Sequence, residues 1–244
     1  VLEDVELTGS TVQDSAGMVE FHGNEPTSGE NITSVTIQDN TFEDIIEDSG
    51  QNANAALSVQ DAENTSISGN TFADNFNHVY LSSVSGETIQ SVVDSNSNDF
   101  DRAAYTDTLV TSSIQSAVDD AETGDTVQVG SGIYNESVSI TTANLTLQST
   151  NGADTTTIDA PDGTTDVVTI DPSANNVTVD GFTIREGERR GIFVGDFSNS
   201  ADNVTIKNNQ IVNNGKPSAT AETHGILVEG GNGTVVQDNL VANV

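Results

Sequence analysis

The sequence predicts an all-β chain: a right-handed parallel β-helix, or solenoid, in two tandem segments with a short capping α-helix at about 112–123. Three observations predict it. One short block recurs about every thirty residues, its apolar and polar positions alternate, and the chain between recurrences varies in length. Variable insertions on a fixed period are what stacked coils tolerate, because each coil contacts only its neighbours.

The block reads Val35-Thr-Ile-Gln-Asp-Asn40-Thr-Phe42, then Thr65-Ser-Ile-Ser-Gly-Asn70-Thr-Phe72. It returns as Val177-Thr-Val-Asp-Gly-Phe182-Thr-Ile184, Val204-Thr-Ile-Lys-Asn-Asn209-Gln-Ile211 and Thr234-Val-Val-Gln-Asp-Asn239-Leu-Val241. Successive starts lie 30, 27 and 30 residues apart, and a degenerate copy at Leu145-Thr-Leu147 precedes Val177 by 32. Apolar β-branched residues at the first and third positions give a period of two, hence a strand with one buried face. The bend that follows falls on Asn, whose short amide tolerates left-handed backbone and bonds locally to main chain. Stacked, these amides predict a ladder inside the coils, interrupted where Phe182 replaces Asn.

A second strand follows at a looser distance: Ala55–Val59, Val79–Leu81, Gly191–Val194 and Gly225–Val228. Leucine-rich repeats would need a spaced Leu consensus, and a β-sandwich would not need a fixed period. The repeat fails between about 84 and 125, where Ser91–Phe100 gives way to polar linker. A helix signal follows, with Ile114, Ala117, Val118 and Ala121 at i, i+3, i+4 and i+7. Ser112 with Gln115 predicts a capping box, and Gly124 a C-terminal stop. An amphipathic helix there would cover open strand edges. The expected domains are therefore 1–105, the last coils and linker of one β-helix, and 106–244, the cap and first coils of a second. Both termini read as strand, so the chain looks like a slice of a longer protein.

The 38 acidic residues against 6 Lys and Arg give a formal net charge of −32. They are scattered singly, as at Glu3, Asp4, Glu6, Asp14, Glu20 and Glu25. Multimolar salt shrinks the Debye length to roughly 3 Å or less and relieves such self-repulsion. The pattern is that of a halophilic, archaeal-type surface. It argues against nucleic acid and anionic membrane as partners, since both need positive patches. There is no cysteine, and no apolar run approaches the roughly 18 residues a membrane span needs.

Two stretches carry a family resemblance. Thr111-Ser-Ser-Ile-Gln-Ser-Ala-Val-Asp-Asp-Ala-Glu-Thr-Gly-Asp-Thr-Val-Gln-Val129, with Gly132-Ile-Tyr-Asn-Glu136-Ser-Val-Ser-Ile140, resembles the opening of pectin methylesterase-like and pectate lyase-like β-helices. Residues 177–241 resemble the Asn-rich repeats of carbohydrate-binding and sugar-hydrolase domains, including the periplasmic copper-binding group. The resemblance implies the fold and a carbohydrate ligand more than it implies chemistry. Of the esterase pattern only Gly132-x-Tyr134-x-Glu136 is present; the Asp-Phe-Ile-Phe-Gly-type segment and the Arg-Pro-Trp are missing. His224-Gly225 stands without the paired Asp of polygalacturonases, and the calcium-bridging Asp cluster and catalytic Arg of pectate lyases are not visible.

Five of the six basic residues fall between 185 and 216. Arg185, Arg189, Arg190 and Lys207, with His224, are the candidate glycan contacts, because guanidinium forks carboxylates bidentately. The plainer reading pairs these cations with Glu186, Glu188 and Asp180, the last stacking one coil below Lys207. Glycoside hydrolysis needs two carboxylates on one face, and Asp180, Glu186, Glu188, Asp196 and Glu229 form the pool. His22, His78 and His224 have no recognised metal spacing, so no resident cofactor is expected; calcium is the cation this oxygen-rich chain would take. Asn31, Asn64, Asn135, Asn144, Asn176, Asn203 and Asn232 head N-x-Ser/Thr sequons, although the repeat generates Asn-Val-Thr by itself.

Function is less legible than fold. The leading expectation is a non-catalytic extracellular or cell-surface protein, structural or adhesive, that binds polysaccharide or surface glycan. The alternatives are a polysaccharide lyase or glycoside hydrolase, and a self-associating viral tail-spike or fibre segment on a virion surface.

Overall fold

The structure is a computed structural model and describes residues 3–13, 19–22, 32–45, 55–75, 77–98, 104–106, 109–196, 199, 201–216 and 222–243. The chain divides into two compact units, Val1–Ser112 and Ser113–Val244. The described residues are mostly strand, with two helices, α1 (Ile89–Ser95) and α2 (Ile114–Asp120).

The second unit carries three all-parallel groups of strands. The first holds Thr126–Val129, Thr146–Ser149, Thr178–Asp180, Thr205–Lys207 and Val235–Gln237. The second holds Gly132–Tyr134, Thr156–Asp159, Thr183–Arg185, Gln210–Val212 and Leu240–Ala242. The third holds Val138–Ile140, Asp166–Ile170, Arg190–Gly195 and His224–Glu229. The chain visits the first, second and third in rotation, so each circuit of three strands lies beside the preceding one. Thr178 pairs with Thr205 and Thr205 with Val235, so the blocks starting at 177, 204 and 234 stack in register.

Each circuit turns on left-handed residues, and their identities explain the Asn-rich composition. The corner into the first group uses Asn144, Asn176 and Asn203 at φ 59°, 58° and 57°. The next uses Gly181, Asn208 and Asp238, and the third uses Glu186, Asn213 and Asn243, at φ from 53° to 82°. Gly, Asn and Asp are the residues that reach this region at least steric cost.

Inside, apolar columns run from circuit to circuit. Val127, Leu147, Val179 and Ile206 stack and are fully buried, as are Ile158, Ile184 and Ile211. Burial of each such side chain contributes about 1.5–3 kcal/mol. The expected amide ladder is present: Asn209 Nδ2 donates to Asn239 Oδ1 at 3.1 Å and to Val179 O at 3.0 Å. Phe182 interrupts it, yet its N–H donates to Asn209 Oδ1 at 2.9 Å.

The first unit repeats the same devices. Thr11–Gln13, Thr41–Glu43, Thr71–Ala73 and Ser97–Asn98 form one parallel sheet, and Glu3–Thr8, Ile32–Gln38, Leu57–Glu63 and Asn77–Val84 belong to another. Asn40, Asn70 and Asn96 form its ladder at 2.9 and 2.8 Å, and Phe42 stacks on Phe72 with centroids 4.9 Å apart. Strand Leu109–Thr111 pairs antiparallel with Asn77–Val84 and with Ala104–Tyr105, so this unit is not wholly parallel.

The helical readings need correction. The helix signal at 112–123 is not the only one the structure bears out: Thr88 and Ser91 make a reciprocal capping box, and α1 buries Ile89 and Val92. For α2 the N-cap is Ser113, not Ser112, because it is the Ser113 hydroxyl that reaches Ser116 N. The helix ends at Asp120 with Ala121 as C-cap, and Gly124, at φ 105°, serves the turn beyond. A Ser-Ser pair offers two equivalent caps, and only the packing of Ile114 inward chooses between them.

Candidate functional site

The five candidate glycan contacts are spread over three strand groups. Lys207 lies in the first, Arg185 in the second, and Arg190 and His224 are register partners in the third, with Arg189 at the bend before it. Three of them are neutralised from the adjacent circuit. Arg185 Nε and Nη2 donate to Asp159 Oδ2 at 3.1 and 2.7 Å, and Lys207 Nζ lies 3.2 Å from Asp180 Oδ2. Arg190 forks Asp166 at 2.5 and 2.7 Å, with side-chain exposures of only 9% and 13%, and lies over the Phe193 ring. The Asp180–Lys207 pair is the one read from the repeat; Arg185 takes Asp159 instead of the neighbouring Glu186.

Lys216 donates to Asp162 at 2.9 Å. That hydrogen bond holds the Asp162 carboxyl below its usual range and raises the Lys216 ammonium. Arg189 and His224 differ from the paired cations: Arg189 Nε and His224 Nδ1 are buried without a hydrogen-bond partner.

A groove of about 620 Å³ runs along the corner between the first and second strand groups. Its polar walls include Gln148, Asp154, Asp180, Asn208, Gln210 and Asp238. Successive circuits supply them at the strand spacing of about 4.8 Å. Gln210 Nε2 donates to Asp154 Oδ1 at 2.6 Å, and Asn208 Nδ2 donates to Asp180 Oδ1 at 2.8 Å. The carboxylates are thereby oriented, and the groove offers amides and acceptors in rows. No motif marked Asp154 or Gln210, because their bond spans 56 residues.

Gly132-x-Tyr134-x-Glu136 has an architectural role. Tyr134 is buried and its hydroxyl donates to Gly130 O at 3.0 Å, while Glu136 accepts from Ile114 N and Gln115 N at the start of α2. Of the remaining acids in the catalytic pool, Asp196 accepts from Asn199 N at 2.6 Å, and Glu229 Oε2 is buried without a partner.

Three sequon asparagines form an outer rail, with Asn176 Nδ2 on Asn144 Oδ1 at 2.8 Å and Asn203 Nδ2 on Asn176 Oδ1 at 3.1 Å. Asn64, Asn135 and Asn232 are exposed, and Asn31 lies outside the described residues. Among the described residues no group of three or more His, Asp or Glu is placed to hold a metal ion, and no helix is long and apolar enough to cross a membrane.

Comparison of the chain with family models, with curated proteins and with solved structures gives no match.

Proposed function

We propose that the chain is a right-handed parallel β-helix protein of an extracellular, cell or virion surface that binds a hydroxyl-rich glycan without cleaving it. The observation that carries this reading is the groove lined by Gln148, Asp154, Asp180, Asn208, Gln210 and Asp238. Rows of fixed acceptors and amide donors match vicinal sugar hydroxyls, each of which both donates and accepts. The described residues lining the groove include Asp154, Asp180 and Asp238 and no lysine or arginine, so neutral sugars fit it better than acidic ones. Cleavage would need two carboxylates left available across the scissile bond. Here Asp180 is committed to Lys207 and Asn208, and Asp154 to Gln210. The reading needs no cofactor.

The test is a glycan array in multimolar KCl, followed by titration of hits against the parent chain and a Gln148→Ala/Gln210→Ala variant. Saturable binding weakened at least about tenfold in the variant supports the reading. Binding that ignores the variant, or none at all, removes it. Release of reducing ends or unsaturated sugars favours the lyase or hydrolase alternative, and a salt-stable trimer favours the fibre.

A further inference from the structure

Four of the corners between the first and second strand groups are two residues long: 130–131, 181–182, 208–209 and 238–239. The remaining one, 150–155, has six. Its extra residues run along the stack. Ala153 O accepts from Thr183 Oγ1 at 2.7 Å one circuit on, and Asp154 Oδ1 accepts from Gln210 Nε2 at 2.6 Å two circuits on. This loop forms one wall of the groove, and the left-handed corner residues Gly181, Asn208 and Asp238 line it from successive circuits. The groove therefore runs across the strands, parallel to the stack. From Ser149 to Asp238 its lining comes from four circuits about 4.8 Å apart, a run of about 14 Å. Gly181 leaves one bare place in the row. A Cβ there would meet Ser149 Cβ at 3.4 Å and Gly152 Cα at 3.5 Å, so a side chain fits without displacing backbone.

We propose that the groove takes an unbranched β-1,4-linked chain of neutral hexoses lying along the stack, one sugar per circuit. This rests on the glycan reading above and names its ligand class. Equatorial linkages keep such a chain extended, and its rings succeed one another at a spacing close to that of the circuits. An α-1,4-linked chain coils and loses that match. Each ring hydroxyl both donates and accepts, so a row of amide and carboxylate groups meets each sugar with the same chemistry. The bare backbone at Gly181 leaves room for a ring between the row and the loop.

The test uses the whole chain in multimolar KCl and isothermal titration with cello- and manno-oligosaccharides of one to six sugars, against the malto-oligosaccharide series. Affinity in at least one β-1,4 series is expected to rise with length to about four sugars and then flatten. The tetramer of that series should bind at least about tenfold tighter than maltotetraose. Gly181→Asn repeats the residue that Asn208 already places at this left-handed corner, so it keeps the backbone and fills the floor. It should weaken the tetramer at least about tenfold. Affinity that ignores length, maltotetraose bound as tightly, or a folded Gly181→Asn chain that titrates like the parent overturns the proposal. If Gly181→Asn does not fold, Asp154→Ala, which frees the wall from Gln210, must weaken the tetramer instead. Failure of both β-1,4 series while another glycan binds the groove removes this proposal and leaves the glycan reading standing; absence of all glycan binding removes both.

Discussion

Glu136 holds the start of α2 through Ile114: its Oε1 accepts the Ile114 N–H at 2.8 Å, while Oε2 takes Gln115 N at 2.8 Å and Ser113 Oγ at 3.0 Å. The first turn of a helix has unsatisfied N–H groups and a positive dipole end, so a carboxylate there satisfies both needs. Glu136→Ala should lower the stability of the second unit by about 1–3 kcal/mol in urea unfolding, and Glu136→Gln by less. Equal stability of all three chains would mean that the contact is replaced by water.

The inner ladder sets a second expectation. Asn209→Ala strips Phe182 N of its acceptor and Val179 O of a donor inside the stack. Two stranded groups at about 1–3 kcal/mol each make this costly for so small a change, about 2–6 kcal/mol in total. Equilibrium unfolding, with hydrogen exchange at the Phe182 amide, measures it.

The Arg190–Asp166 pair lies on side chains exposed by only 9% and 13%. Removing one partner leaves a poorly solvated charge. Asp166→Asn should therefore cost about 3 kcal/mol, while a volume-matched apolar replacement of both residues costs less. A double-mutant cycle decides, and additivity of the single changes would contradict the pairing argument.

A gain is expected at Glu186, which adopts φ 70° at the corner where Asn213 and Asn243 stand one and two circuits on. Glu has no local bond to offset the left-handed backbone, and Asn does. Glu186→Asn should stabilise the chain by about 1 kcal/mol, read as a rise in the urea midpoint.

The net charge of −32 makes salt a structural variable. The urea midpoint should climb as KCl is raised from about 0.1 M, where the Debye length is near 10 Å, into the molar range, where it is about 3 Å. A midpoint that is flat or falling with salt would show that the acids do not strain the fold.

Much of this architecture was legible because strand columns follow from a short local period. Val179 and Ile206, or Asn209 and Asn239, recur in register with the blocks that contain them. Even Lys207–Asp180 followed, since both occupy the same block position. The site was less legible. Arg185 pairs with Asp159 because the insertion between their strands happens to bring them into one column, and no composition signal marks that length. The helix α1 was missed because it is only seven residues long and has just Ile89 and Val92 on its buried face, too few to show a helical period.

By itself, then, the sequence determined the period, the inward faces and the left-handed corners, because these depend on alternation and on backbone preferences within a few residues. Only the tertiary structure decided which aspartate each arginine takes, what Glu136 holds, and where a groove opens. Those outcomes depend on which side chains insertions of unequal length carry to within hydrogen-bonding reach on the next circuit.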